Sequence, residues 1–236
     1  MSLNKILLII LSVLTSCAHQ TSINKNLATA KKSFIQIEIF LEDEECELAS
    51  CDEPMPHSSG SGAVVLYNKQ KHILTAAHVC NANNALLGPK EIRGFKTKFV
   101  LIDRKNRKHE GKIVKVDFKL DLCLIYSEGV AGPPLKISPK KPEYGEKVYN
   151  IGAPLSISYK NMVLAQEGLY SGDIGIKAYY TIPTAFGQSG SPIINARGEL
   201  VGLIHSVHVR FHHISVSPIY SELWNFLSLL PSQSPY

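Results

Sequence analysis

The sequence predicts an all-β fold closed by one C-terminal helix. Three observations carry that expectation. Short apolar runs of strand length recur between polar turns in two sets, one from Gly62 to Tyr126 and one from Lys147 to Val216. Between the sets lie Gly132-Pro133-Pro134 and Pro139-Lys140-Lys141-Pro142, which read as a connection between two lobes. Near the end, apolar residues at Ile219, Tyr220, Leu223, Phe226 and Leu227 have helical spacing, with Pro218 suited to a helix start and Pro231 to its end.

Taken in order, residues 1–17 read as an export signal outside the fold. Lys5 gives the positive flank, and the apolar run from Ile6 to Leu14 is too short to span a bilayer. Leu14-Thr15-Ser16-Cys17 resembles the lipobox of bacterial lipoproteins, which implies a lipidated Cys17 and a lipid anchor to a membrane facing the periplasm or cell exterior. A soluble secreted or periplasmic chain is the alternative. Residues 18–32 are polar and read as a flexible tether. Ser33 to Phe40 alternates as a first strand.

The acidic stretch Glu42-Asp43-Glu44-Glu45-Cys46-Glu47 reads as a solvated loop, since no ligand spacing supports a metal site. In an oxidising space Cys46 and Cys51 would close that loop, or Cys80 would pair with one of them. Cys123, inside an apolar strand, is expected to be a buried free thiol. Four cysteines besides Cys17 allow three full pairings, and the sequence does not choose.

In the first set the expected strands are Gly62–Tyr67, His72–Ala76, Lys98–Asp103, Ile113–Val116 and Leu120–Tyr126, with a helical turn from Ala77 to Asn81. In the second they are Lys147–Ile151, Val163–Tyr170, Lys177–Ile182, Pro192–Asn195, Leu200–Val209 and His213–Val216. Of 236 residues 44% are hydrophobic and 19% charged, an ordinary balance for a packed core. The net charge of +5 is spread without a dense basic block, which argues against a nucleic-acid partner.

Three stretches carry chemistry. In Phe186-Gly187-Gln188-Ser189-Gly190-Ser191-Pro192 a serine stands between two glycines. A hydroxyl that attacks an acyl carbon needs its Oγ exposed, and backbone N–H groups aimed at the oxygen that becomes negative. Gly187 and Ser189 would supply those N–H groups. In Thr75-Ala76-Ala77-His78-Val79-Cys80 an imidazole follows two small residues that allow close packing, which suits a positioned general base. In Leu120-Asp121-Leu122-Cys123-Leu124-Ile125 a carboxylate sits in an apolar run, where burial demands a partner such as an imidazole N–H. Asp117 reads instead as an ordinary exposed strand residue.

In the order His78, Asp121, Ser189 these stretches resemble the trypsin/chymotrypsin-like serine endopeptidases, particularly compact bacterial-type members such as Deg/HtrA-type proteases and glutamyl endopeptidases. The likeness runs from Ser33 to Leu230. It implies two six-stranded antiparallel β-barrels at about 33–130 and 143–217, a C-terminal helix at 218–230, and an active site between the barrels. It also implies a protein or peptide substrate and no cofactor.

In that family the primary pocket has its base at the position of Pro183, so a preference for Arg or Lys is not expected. Thr184 matches a threonine of the glutamyl endopeptidases, but their partner histidine falls at Ile204, and His205 would face the other way. Pro183, Thr184, His205, Ser206 and Val207 are the pocket candidates. His208, His212 and His213 match no zinc spacing. The chain stops at Tyr236, soon after the helix, so no peptide-binding domain or trimer is carried over. An α/β-hydrolase fails on Ser191 and on residue order. A catalytically silent, membrane-tethered binding protein on the same scaffold is the rival of another kind.

Overall fold

The structure is a computed structural model that describes residues 20–43, 55–80, 95–208 and 211–228. The export signal, Cys17, the acidic stretch from Glu44, Cys46 and Cys51 lie outside those residues, as do the side chains of Val207, His208 and His212.

Two curled antiparallel sheets make up the fold. The first holds β1 (Phe34–Asp43), β2 (Met55–Tyr67), β3 (Gln70–Thr75), β4 (Phe95–Asp103), β5 (Lys108–His109), β6 (Lys112–Asp117) and β7 (Leu122–Tyr126), in the spatial order β5-β4-β1-β2-β3-β7-β6. The second holds β8 (Lys147–Gly152), β9 (Ser158–Tyr159), β10 (Met162–Ile174), β11 (Lys177–Tyr180), β12 (Pro192–Asn195), β13 (Leu200–Leu203), β14 (Ser206–His208) and β15 (Phe211–Pro218). Its order is β13-β12-β8-β10-β11-β15-β14, with β9 paired to β10. Among the described residues the strand counts are seven and eight rather than six each. Short pieces account for the excess: β5 and β9 have two residues and β14 has three.

The connection between sheets is stitched to both. Leu135 N–H donates to Val64 O at 2.8 Å, and Leu200 N–H donates to Lys136 O at 2.8 Å. Apolar side chains from both sheets share one core, in which Ile37, Leu74, Leu124, Ile151 and Leu203 are buried together. A smaller cluster inside the second sheet includes Tyr180, Ile182 and Ile193. The C-terminal helix, Tyr220–Leu227, buries Leu223 and Phe226 against the shared core. Lys115 of β6 donates to Phe226 O at 2.6 Å.

Two expectations are corrected. The stretch read as a flexible tether is helical over 20–30 (α1) and docked. Ile23 and Ala30 are buried in the shared core and Leu27 packs on it, while Asn26 Nδ2 donates to Ala196 O at 2.9 Å. Ile23, Leu27 and Ala30 stand at i, i+4 and i+7, a narrow apolar stripe inside a polar sequence. Such a helix draws its stability from packing rather than propensity. Second, Cys123 is not a free thiol: it forms a disulfide with Cys80, across a sequence separation of 43.

Candidate active site

β3 ends at Thr75 and the chain turns at once into the short helix α2 (Ala77–Cys80), which carries His78. Ala76 and Ala77 are wholly buried beneath it, so the imidazole starts from a fixed backbone. Asp121 ends the turn between β6 and β7, at φ 54° in the left-handed region that aspartate tolerates better than most residues. Asp117 supports that turn, its Oδ1 accepting the Leu120 N–H at 2.9 Å.

Asp121 and His78 are joined twice. Oδ1 accepts the His78 backbone N–H at 2.9 Å, and Oδ2 accepts from Nδ1 at 2.8 Å. Burial works to raise the Asp121 carboxyl, but the His78 bonds outweigh it and hold the group below the usual carboxylate value. The disulfide closes the same corner, since Cys80 lies two residues past His78 and Cys123 two residues past Asp121.

Ser189 arrives from the second lobe and is fixed through its backbone. Its carbonyl accepts the Ser61 N–H at 2.8 Å, and the next N–H, on Gly190, donates to Ile204 O at 2.6 Å. Ser61 also donates its hydroxyl to Gly187 O at 2.7 Å, and its own carbonyl accepts from Thr75 Oγ1 at 2.8 Å. One serine of β2 therefore ties the Ser189 segment to the strand that leads into His78. Among the described residues, no hydrogen bond joins Ser189 Oγ to His78. Such bonds are often long in a protein without substrate.

Gly187 sits at φ 91° with Ala153 O only 2.5 Å from where a Cβ would stand, so only glycine fits. The Phe186 carbonyl accepts the Leu155 N–H at 2.6 Å. In a trans peptide the N–H points away from the carbonyl, so the Gly187 N–H is turned away from Leu155. Among the described residues, neither the Gly187 nor the Ser189 N–H is donated to a protein acceptor.

Behind the loop a buried amide network holds its shape. Gln188 Oε1 accepts the Ala185 N–H at 2.7 Å, and its Nε2 donates to Asn150 Oδ1 at 3.0 Å and to Gln166 Oε1. Asn150 Nδ2 donates in turn to Ser191 Oγ at 2.7 Å and to Pro192 O at 2.9 Å.

The pocket candidates differ in burial. Thr184 is buried and donates to Ile182 O at 3.2 Å, whereas Pro183 and Ser206 are exposed. His205 is turned away from buried Ile204, with Nδ1 at 3.7 Å from Asp121 Oδ2 and a side chain only 11% exposed. Burial pushes the His205 imidazole down, against the pull of Asp121. Ser61, Gln188 and Leu155 were not expected as site residues. The Ser59-Gly60-Ser61-Gly62 stretch before the histidine was the available signal for Ser61. Gln188 and Leu155 had none, since their partners Asn150, Gln166 and Phe186 lie far along the chain. Among the described residues, no group of three or more His, Cys, Asp or Glu could hold a metal ion.

A double β-sheet fold that carries a bonded histidine–aspartate pair and a glycine-flanked serine defines a class, the serine proteases of trypsin-like fold. A trypsin-like peptidase domain matches over residues 60–203, more than half of the chain, and the chain belongs to that family. The chain is similar to HhoB of Synechocystis sp., which bears a serine-protease name, at 26% identity over 159 residues. That match covers 64% of this chain and 35% of HhoB, so the chain spans about a third of the relative's length. Among solved structures, the active form of the Rv3671c protease from M. tuberculosis superposes with a TM-score of 0.64 at 16% identity, over 89% of this chain and 86% of that one. The serine endoprotease from Yersinia pestis gives 0.64 at 20% identity, over 86% and 64%. At such identities these structures speak for the fold. No described helix is long and apolar enough to cross a membrane.

Proposed function

We propose that the chain is a serine endopeptidase in which His78, Asp121 and Ser189 act as a triad. Ser189 Oγ attacks a peptide carbonyl carbon while His78 Nε2 takes its proton. Asp121 stays ionised, holds Nδ1–H and stabilises the imidazolium. The N–H groups of Gly187 and Ser189 receive the oxygen that becomes negative. The proton then passes from His78 to the leaving amine, and water repeats the sequence to release the acyl group. A positioned general base contributes roughly 10²–10⁴-fold, and one oxyanion donor roughly 10²–10³-fold.

The observation that carries this reading is the doubly bonded His78–Asp121 pair beside a serine whose backbone is docked on β2. The test is labelling by a fluorophosphonate and cleavage of a denatured protein. Adduct at Ser189, and loss of cleavage in Ser189→Ala with the fold kept, are expected. Absence of adduct in folded protein would make the chain a binding module instead.

The primary pocket is assigned to Pro183, Thr184, His205, Ser206 and Val207, with no acidic residue among them to favour Arg or Lys. Export and anchoring through a lipidated Cys17 complete the reading, on the strength of Leu14-Thr15-Ser16-Cys17. Metabolic labelling with a fatty-acid analogue, lost in Cys17→Ser, tests it.

A further inference from the structure

A cavity of about 230 Å³ opens where β1 and β4 meet the β9–β10 hairpin, and neither His78, Asp121 nor Ser189 lines it. Its polar wall is cationic, with Lys31, Lys32 and Arg104. Among the described residues the only acid lining it, Asp103, is fully buried and already bonded by Arg107 and His109. Lys31 Nζ spends one donor on Asn161 O at 3.0 Å. Arg104 Nε is buried with no hydrogen-bond partner among the described residues. The floor is apolar, from Phe34 and Ile102. An excess of cations, an unbonded buried donor and an apolar floor select for a ligand with a negative head and an apolar body.

The cavity also adjoins the segment that sets the Gly187 peptide. Ser158 lines it and donates to Gln36 of β1, which lines it too. A few residues earlier, Leu155 and Ser156 stand at φ 52° and 59°, two successive side-chain-bearing residues in the left-handed region. Such strain persists only where surrounding contacts impose it, and it recurs in segments that switch. Leu155 is the residue whose N–H holds the Phe186 carbonyl. A ligand against Ser158 therefore bears on the orientation of the Gly187 N–H.

We propose that this cavity binds a small amphiphilic anion, a carboxylate or phosphate on a short apolar body, and that occupancy resets the Gly187 peptide. The coupling rests on the oxyanion role given to Gly187 above; the binding does not.

The probes are octanoate and octyl phosphate, titrated calorimetrically into the full chain, with inorganic phosphate and octanol as half-ligands. At least one amphiphile binds saturably, and whichever binds names the head group. Each half-ligand, and the Lys31→Gln/Arg104→Gln variant, binds about tenfold more weakly or less. Arg104→Lys, which keeps the charge, retains part of the affinity. Saturation with the bound amphiphile changes the rate of fluorophosphonate labelling at Ser189 by about threefold or more, and Ser158→Ala, compared at its own saturation, loses that change. Absence of saturable binding, or equal binding by the double variant, overturns the site. An unchanged labelling rate overturns the coupling. Binding by a chain that never labels leaves the site standing and removes the peptidase reading.

Discussion

Asp121 grips His78 at two points, the backbone N–H through Oδ1 at 2.9 Å and the ring Nδ1 through Oδ2 at 2.8 Å. The two oxygens do separate work. One fixes where α2 begins relative to the β6–β7 turn; the other fixes the tautomer and tilt of the ring. Asp121→Asn keeps a carbonyl oxygen for the first task and fails the second, because an amide cannot stabilise the imidazolium. The expected result is a loss of about 10⁴-fold in kcat with little change in KM. Steady-state kinetics with circular dichroism checks it, and a variant within tenfold of wild type would remove Asp121 from the machinery.

The Cys80–Cys123 bond lies just beyond the same two residues. Because Cys80 follows His78, and Cys123 follows Asp121, by two positions, the bridge holds α2 against β7 where the His78–Asp121 contact forms. Closing a loop with a separation of 43 residues stabilises by about 2–4 kcal/mol. Cys80→Ala/Cys123→Ala should lose that much in urea unfolding. At temperatures where both proteins are folded, it should also label more slowly at Ser189. Equal labelling rates would confine the bridge to stability.

The elements that sequence reasoning found are those whose signal is local. Strand Pro192–Asn195 is a continuous apolar run, and the helix Tyr220–Leu227 repeats its apolar face within a few residues. Ser189, His78 and Asp121 each sit in a stretch of unusual composition. What escaped is set by partners far along the chain. The helix over 20–30 hides its stripe of Ile23, Leu27 and Ala30 among polar residues that face solvent. Cys123 reads as a core thiol because nothing nearby in sequence shows that α2 folds back over β7. His205 is expected on a strand, but it lies with Ile204 between β13 and β14. The carboxylate it approaches, Asp121, belongs to the other lobe.

Two buried groups predict how stability falls in acid. Burial alone would raise the Asp103 carboxyl, but bonds from Arg107, with His109 and the Lys105 N–H, hold it at about 2, below its ordinary 3.8. The unfolded chain therefore takes up this proton first. The stabilisation is complete above about pH 4 and is lost as pH falls through about 2, an amount of about 2 kcal/mol. His205 is also pushed below its ordinary 6.5, by burial first and against Asp121. Its contribution is complete above that value and declines below it. Urea midpoints measured against pH should show two descending regions. Asp103→Asn flattens the lower and His205→Gln the upper. A profile for Asp103→Asn parallel to wild type below about pH 4 would show that its bonds do not survive in solution.

Gly187 and Gly190 flank the serine, yet their replacement by alanine should fail in different ways. At Gly190 a Cβ would stand 2.1 Å from both Ser61 O and Thr75 Oγ1, and φ is 86°. Those two atoms are bonded to each other and belong to β2 and β3 at the heart of the first sheet. Relief requires the lobes to part, so Gly190→Ala should cost about 3–5 kcal/mol in unfolding free energy. At Gly187 the clash is with Ala153 O at 2.5 Å, in the turn that also carries the strained Leu155 and Ser156. Relief there requires only that this turn shift, and in shifting it would release the Phe186 carbonyl and rotate the Gly187 N–H. Gly187→Ala should therefore cost less in unfolding free energy than Gly190→Ala, about 1–3 kcal/mol, and lose about 10²–10³-fold in labelling and turnover. Urea unfolding and fluorophosphonate labelling on the two variants separate the cases. Equal stability losses in both would show that the 153–156 turn is as rigid as the sheet.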